Sequence, residues 1–216
     1  VASQNKLAEK RAAAEAALGL APRPPAAHKP ASYTVADGSA GVLRVQIASD
    51  LHLEFYEAGE DVPAMLEPAA PVLALLGDIG NPADASYARF LAAMAERFEL
   101  VLVLVGNHEY YGHGRYSADE MHAKAEAACA ANPRLRLLHN ESITVNGVRV
   151  LGGALWSDVP PLERPVVEAS MNDYALIGKR TGEVVADPAV APAPATAGAG
   201  GALRPVSCAD TCAWHE

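Results

Sequence analysis

At 216 residues, with 50% hydrophobic and 20% charged residues, the chain has the make-up of one sizeable α/β domain with a real core, which excludes a disordered or collagen-like class. A formal net charge of -9 argues against nucleic acid as a partner, since phosphate contacts need a basic face, and points instead to small molecules, phosphorylated ones included. No run nears ~18 consecutive apolar residues, so no membrane helix is expected, and Cys129, Cys208 and Cys212 lack the spacing of a zinc site or a disulfide framework.

Asn5 to Leu18 are strong helix formers ended by Gly19, but their apolar face is almost only alanine, so such a helix is marginal alone. Lys6, Lys10 and Arg11 beside Glu9 and Glu15 leave an organellar targeting remnant open next to a cytoplasmic protein. Pro22, Pro24, Pro25 and Pro30 make residues 21–30 an extended linker. Residues 1–40 are therefore read as an appendage to a domain over residues 41–182.

Val42 to Ala48 is β-branched and partly alternating, which predicts a first strand. Val72 to Leu76 and Leu100 to Val105 are wholly apolar, as strands covered on both faces are. Between them, Asn81 and Pro82 offer an N-cap and a first turn for a helix over residues 83–98, with Tyr87, Phe90, Leu91 and Met94 on one face. Ser117 and Glu120 form a capping-box pattern for another helix, which Asn132-Pro133 stops. This alternation predicts parallel neighbours joined by right-handed crossovers. Asn146-Gly147, flanked by Ser142–Val145 and Val148–Leu151, predicts a hairpin and a change to antiparallel pairing. Residues 183–205 are small and proline-rich and read as a low-complexity insertion; residues 206–216 read as the start of a truncated C-terminal part.

Each of the first three strands runs directly into a polar string: Ser49-Asp50-Leu51-His52, Gly77-Asp78-Ile79-Gly80-Asn81 and Gly106-Asn107-His108-Glu109. Ligands bind at the carboxyl ends of parallel strands, so Asp50, His52, Asp78 and Asn107 bring two carboxylates, an imidazole and an amide oxygen to one edge. That donor set suits manganese, iron or zinc and, less well, magnesium, and one carboxylate can bridge two ions about 3.5–4 Å apart. Taken singly, a strand-end aspartate is a turn residue and Asn107 a left-handed turn; agreement across three strands makes the metal site the stronger reading. No strand is followed by a glycine-rich phosphate loop, which counts against a nucleotide-binding module.

Asp50-Leu51-His52, Gly77-Asp78 and Gly106-Asn107-His108-Glu109 resemble, in order, the first three motifs of the calcineurin-like metallophosphoesterases: D-x-H, G-D and G-N-H-[DE]. Leu151 to Ser157 and Met171-Asn172-Asp173-Tyr174 are also similar to stretches of that family, so the likeness covers roughly residues 42–180. It implies an α/β fold of the αββα two-sheet sandwich type and a metal-dependent hydrolysis of phosphomonoesters or phosphodiesters. A metal-bridging hydroxide would be the nucleophile. It further implies that Asp50 and His52 bind one metal, Asp78 bridges both, Asn107 binds the second and faces substrate, and His108 meets the phosphate as general acid. Glu109 would orient His108 from behind.

The family's last two motifs, a lone histidine and G-H-x-H, have no match here: after Glu109 only His113, His122, His139 and His215 occur. The expectation is that the chain ends before the C-terminal strands that carry them, so the second sheet is incomplete. One metal at most is then expected in this chain and two in the full-length protein, with weak or absent turnover. A catalytically inactive scaffold on the same fold is the alternative. Tyr110, Tyr111, His113 and Tyr116 stay open between lining the substrate mouth and packing, Met171 to Asp173 between the site edge and a plain turn, and Trp156 reads as core. His122, His139 and His215 receive no role.

Overall fold

The computed structural model describes residues 31–35, 41–56, 66–181 and 201–215. The N-terminal helix, the linker at 21–30 and nearly all of the small-residue tract lie outside these residues.

Four parallel strands form the central sheet in chain order: β2 (Val45–Ala48), β3 (Val72–Leu76), β4 (Leu100–Leu104) and β5 (Leu135–Leu137). The connections from β3 to β4 and from β4 to β5 are helices, α1 (Ala85–Arg97) and α2 (Ala118–Ala130). In β3 and β4 the side chains of both faces are buried, which is why their sequences are continuous apolar runs. One face, with Leu73, Leu75, Val101 and Val103, packs on Tyr87, Phe90, Leu91 and Met94 of α1 and Ala125 and Cys129 of α2. The other face, with Val72, Ala74, Leu100 and Leu102, packs on Ile143 and Val145 of a second sheet.

That second sheet has the order β1 (Ala31–Tyr33), β6 (Glu141–Val145), β7 (Val148–Gly152). β6 and β7 form the expected hairpin, with Asn146 and Gly147 both at positive φ, 48° and 82°, as a two-residue hairpin turn of this hand requires. β1 pairs with β6 in parallel, so three residues from the stretch read as an appendage enter the sheet. Beyond the hairpin come two short helices, α3 (Arg164–Ser170) and α4 (Asp173–Leu176), then an antiparallel pair, β8 (Gly178–Arg180) with β9 (Leu203–Pro205), and α5 (Cys208–His215). β9 thus takes the last three residues of the tract read as an insertion.

One helix boundary differs from the sequence reading. Asn81 is not the N-cap of α1: its Oδ1 accepts the Ala83 N–H at 2.9 Å in a local turn, and the helix starts only at Ala85. The capping box at α2, by contrast, is present in both directions, Glu120 N–H to Ser117 Oγ and Ser117 N–H to the Glu120 carboxylate. The three cysteines are buried free thiols, and among the described residues no helix is long and apolar enough to cross a membrane.

Register brings the strand ends into line. Ala48 pairs with Leu75, and Leu76 with Leu104, so the carboxyl ends of β2, β3 and β4 lie level and release their loops side by side.

Candidate metal centre

The loop after β2 and the loop after β3 stay joined past the strands. Asp50 N–H donates to the Gly77 carbonyl at 3.1 Å, His52 N–H to the Asp78 carbonyl at 3.0 Å, and Leu53 N–H to the Ile79 carbonyl at 2.9 Å. Asp50, His52 and Asp78 all adopt left-handed backbone, with φ of 55°, 50° and 53°. The result is that one ligand atom from each of the three lies within 4.8 Å of the other two. Two carboxylates and an imidazole so gathered, with Asp50 exposed and the others half-buried, form a donor set that a divalent cation fits.

Gly77 and Gly106 let the second and third loops touch. A Cβ on Gly77, whose φ is 92°, would lie 2.7 Å from the Gly106 nitrogen, and one on Gly106 would lie 2.8 Å from the Asp78 nitrogen. Through this contact Asp78 Oδ1 accepts the His108 N–H at 3.0 Å. Asn107 and His108 are thereby seated next to Asp78.

Asn107 is oriented by two partners. Its Nδ2 donates to Asp173 Oδ1 at 2.7 Å and lies 3.0 Å from the Tyr111 hydroxyl, which itself donates to Asp173 at 2.9 Å. A carboxylate only accepts, so the amide nitrogen must face Asp173 and Oδ1 is left for another ligand. Burial, followed by the hydrogen bond to Asp173, pushes the Tyr111 hydroxyl up to about 12, so it remains a donor. Asp173 is 3% exposed and sits at the start of α4, which places the stretch around it at the site edge.

Glu109 is 1% exposed, and its hydrogen bonds go to backbone rather than to His108. It accepts from Asp78 N–H at 2.9 Å, Ile79 N–H at 2.7 Å, Gly80 N–H at 3.4 Å and Gly106 N–H at 2.7 Å. Burial pushes its carboxyl up, and the hydrogen bonds from Gly106, Ile79 and Asp78 pull it back. Glu109 therefore locks two loops together from behind the site. The group that meets His108 is Glu54, whose Oε1 lies 2.9 Å from His108 Nδ1 and 3.3 Å from His52 Nδ1.

The aromatic residues divide. The Tyr111 ring lies 4.4 Å from the His108 ring, whereas Tyr110 packs in the core near Trp214 and Trp156, at 5.9 and 6.3 Å. His113 is exposed, and Tyr116 carries the Lys124 ammonium over its ring at 4.4 Å. Trp156 packs against the core as expected. Glu54 carried no signal in the sequence, being a lone acid after an apolar residue; Tyr111 and Asp173 were candidates without an assigned role.

Comparison with known proteins gives three findings. The family model for calcineurin-like phosphoesterases matches residues 43–208. An uncharacterized protein of Acanthamoeba polyphaga mimivirus is 31% identical over an alignment of 145 residues that covers 62% of this chain and 52% of that protein; the chain spans about half the length of this curated relative. Among solved structures, phosphopantetheinyl hydrolase from Mycobacterium tuberculosis is similar with a TM-score of 0.47 and 18% identity, covering 64% of this chain and 56% of that one.

Proposed function

Because the chain belongs to the calcineurin-like phosphoesterase family, we propose that Asp50, His52, Asp78 and Asn107 hold its metal ions and that His108 serves as general acid in phosphoester hydrolysis. The observation that carries this reading is the convergence of Asp50, His52 and Asp78 to within 4.8 Å on the level ends of neighbouring strands. Bound there, divalent cations supply activation of water and offset of the phosphate charge. The chain's own residues do the rest. Asp78 fixes the backbone of His108, and Glu54 and Tyr111 flank its ring. Water adds to phosphorus and loses a proton to solvent, the bond to the leaving oxygen breaks, the proton that oxygen needs comes from the His108 imidazole, and solvent returns a proton to the ring. Asn107, its amide nitrogen taken by Asp173 and Tyr111, uses Oδ1 to serve metal and substrate. The substrate is a phosphomonoester or phosphodiester.

The test is metal content together with hydrolysis of an aryl phosphate, for the chain over residues 1–216 and for Asp78→Asn. Asn keeps an Oδ1 to accept the His108 N–H, so the loop holds while the charge is lost. We expect at most one equivalent of manganese in the parent chain, weak turnover, and an affinity lowered by roughly 100-fold or more in the variant. Unchanged metal content and hydrolysis in Asp78→Asn would remove that residue from the mechanism. A parent chain with neither metal nor turnover is the outcome that the scaffold alternative requires.

A further inference from the structure

We propose that Glu54 is a positioning residue that fixes the tautomer of both site imidazoles, so that His52 and His108 each keep Nδ1 protonated and Nε2 free. This rests on the functional reading only for its consequence. The geometry stands apart from it.

Glu54 Oε1 lies 2.9 Å from His108 Nδ1 and 3.3 Å from His52 Nδ1, and a carboxylate oxygen has lone pairs enough to accept from both. The two rings stand 4.4 Å apart at 70° to each other, edge to face, with Nδ1 of each toward the same carboxylate oxygen. The Phe55 ring, with centroids 5.7 Å from His52 and 6.4 Å from His108, flanks the pair. Glu54 Oε2 is buried with no hydrogen-bond partner among the described residues, which leaves the two imidazoles as the groups this carboxylate serves. The local fold sets this up: residues 53–55 form a single 3-10 turn that opens at His52 in left-handed backbone and returns the Glu54 side chain toward the histidine two residues before it.

A carboxylate only accepts, so both Nδ1 atoms must carry hydrogen. His52 then offers a metal the lone pair of Nε2, with the carboxylate behind it fixing the orientation of the ring. His108 likewise presents Nε2 to a phosphate, the nitrogen that must take up a proton before it can hand one to a leaving oxygen. One side chain thus sets the working atom of two residues that come from different loops.

The experiment is nitrogen NMR of the imidazole rings in the metal-free chain, in a buffer of roughly pH 9 where imidazoles are neutral, with manganese titration alongside. In the parent protein both rings should show a protonated-type Nδ1 and an unprotonated-type Nε2. Glu54→Gln, whose amide can donate as well as accept, should shift one or both rings toward the opposite tautomer and weaken manganese binding about tenfold or more. Tautomers unchanged in that variant would overturn the proposal. If Glu54→Gln does not fold, the parent spectrum decides, since rings protonated at Nε2 are incompatible with it. A chain that binds no manganese yet shows both rings protonated at Nδ1 refutes the metal-dependent reading and leaves the role of Glu54 standing.

Discussion

Asp50, His52 and Asp78 share a backbone region that costs an L-residue about 1–2 kcal/mol, and aspartate pays less of it than most because its short side chain tolerates the region. Strain of this kind gathers where a side chain has to be aimed. Its size is open to measurement at Asp50, whose side chain is exposed. In urea unfolding of the metal-free protein, Asp50→Gly should be more stable than Asp50→Ala by about 1 kcal/mol, since glycine adopts φ of 55° freely; equal stabilities would show that the position is unstrained. The residues placed together at the strand ends were readable because each follows its strand within a few positions. Glu54 was not, and Asp173 was readable only as a site-edge candidate without a partner, for their partners His108 and Asn107 lie 54 and 66 positions away, and nothing local in the chain marks such a pairing.

Between elements, the decisive contact is backbone on backbone at Gly77 and Gly106. Adding one methyl group at Gly106 forces it against the Asp78 nitrogen at 2.8 Å, and that nitrogen is itself held by Glu109 at 2.9 Å, so the strain has little room to relax. We expect Gly106→Ala to destabilise by about 1–3 kcal/mol in calorimetry and to weaken manganese binding; a variant with parental stability and affinity would mean that the loops separate at no cost. The same scale shows what patterning can and cannot reveal. β3, β4, α2 and the hairpin were legible because burial on two faces, a capping box and Asn-Gly each leave a local trace. β1, β5, β8 and β9 are three residues long, too short for any period to register, and β1 is a strand only because β6 supplies a parallel partner more than a hundred residues later. The start of α1 was displaced because Asn81 can close a turn with its own backbone as readily as it can cap a helix.

For the molecule as a whole, one contribution to the response to acid comes from a half-buried histidine pair just past β5. His139, beyond β5, faces His122 on α2 with ring centroids 4.3 Å apart; Glu126 and Glu141 lie near, and the Tyr110 hydroxyl reaches His122. Burial, with His122 adding to it, pushes His139 from an ordinary 6.5 down to about 4, and burial lowers His122 as well. The unfolded chain therefore takes up protons in that interval that the folded one refuses, so stability present above pH 6.5 is lost as pH falls toward 4. The melting temperature should decline across this window, and His139→Gln should flatten the decline; the same slope in parent and variant would take the pair out of the explanation. Net charge makes a second demand. The backbone amides of Asp78, Ile79, Gly80 and Gly106 converge as if to receive an anion, and Glu109 already fills that place. A phosphate arriving early at this chain, of net charge -9, would meet Asp50 and Asp78 and find those amides taken. If Asp50, His52 and Asp78 hold a cation as proposed, the packing of this one glutamate makes cation first and phosphate second the order of assembly to expect.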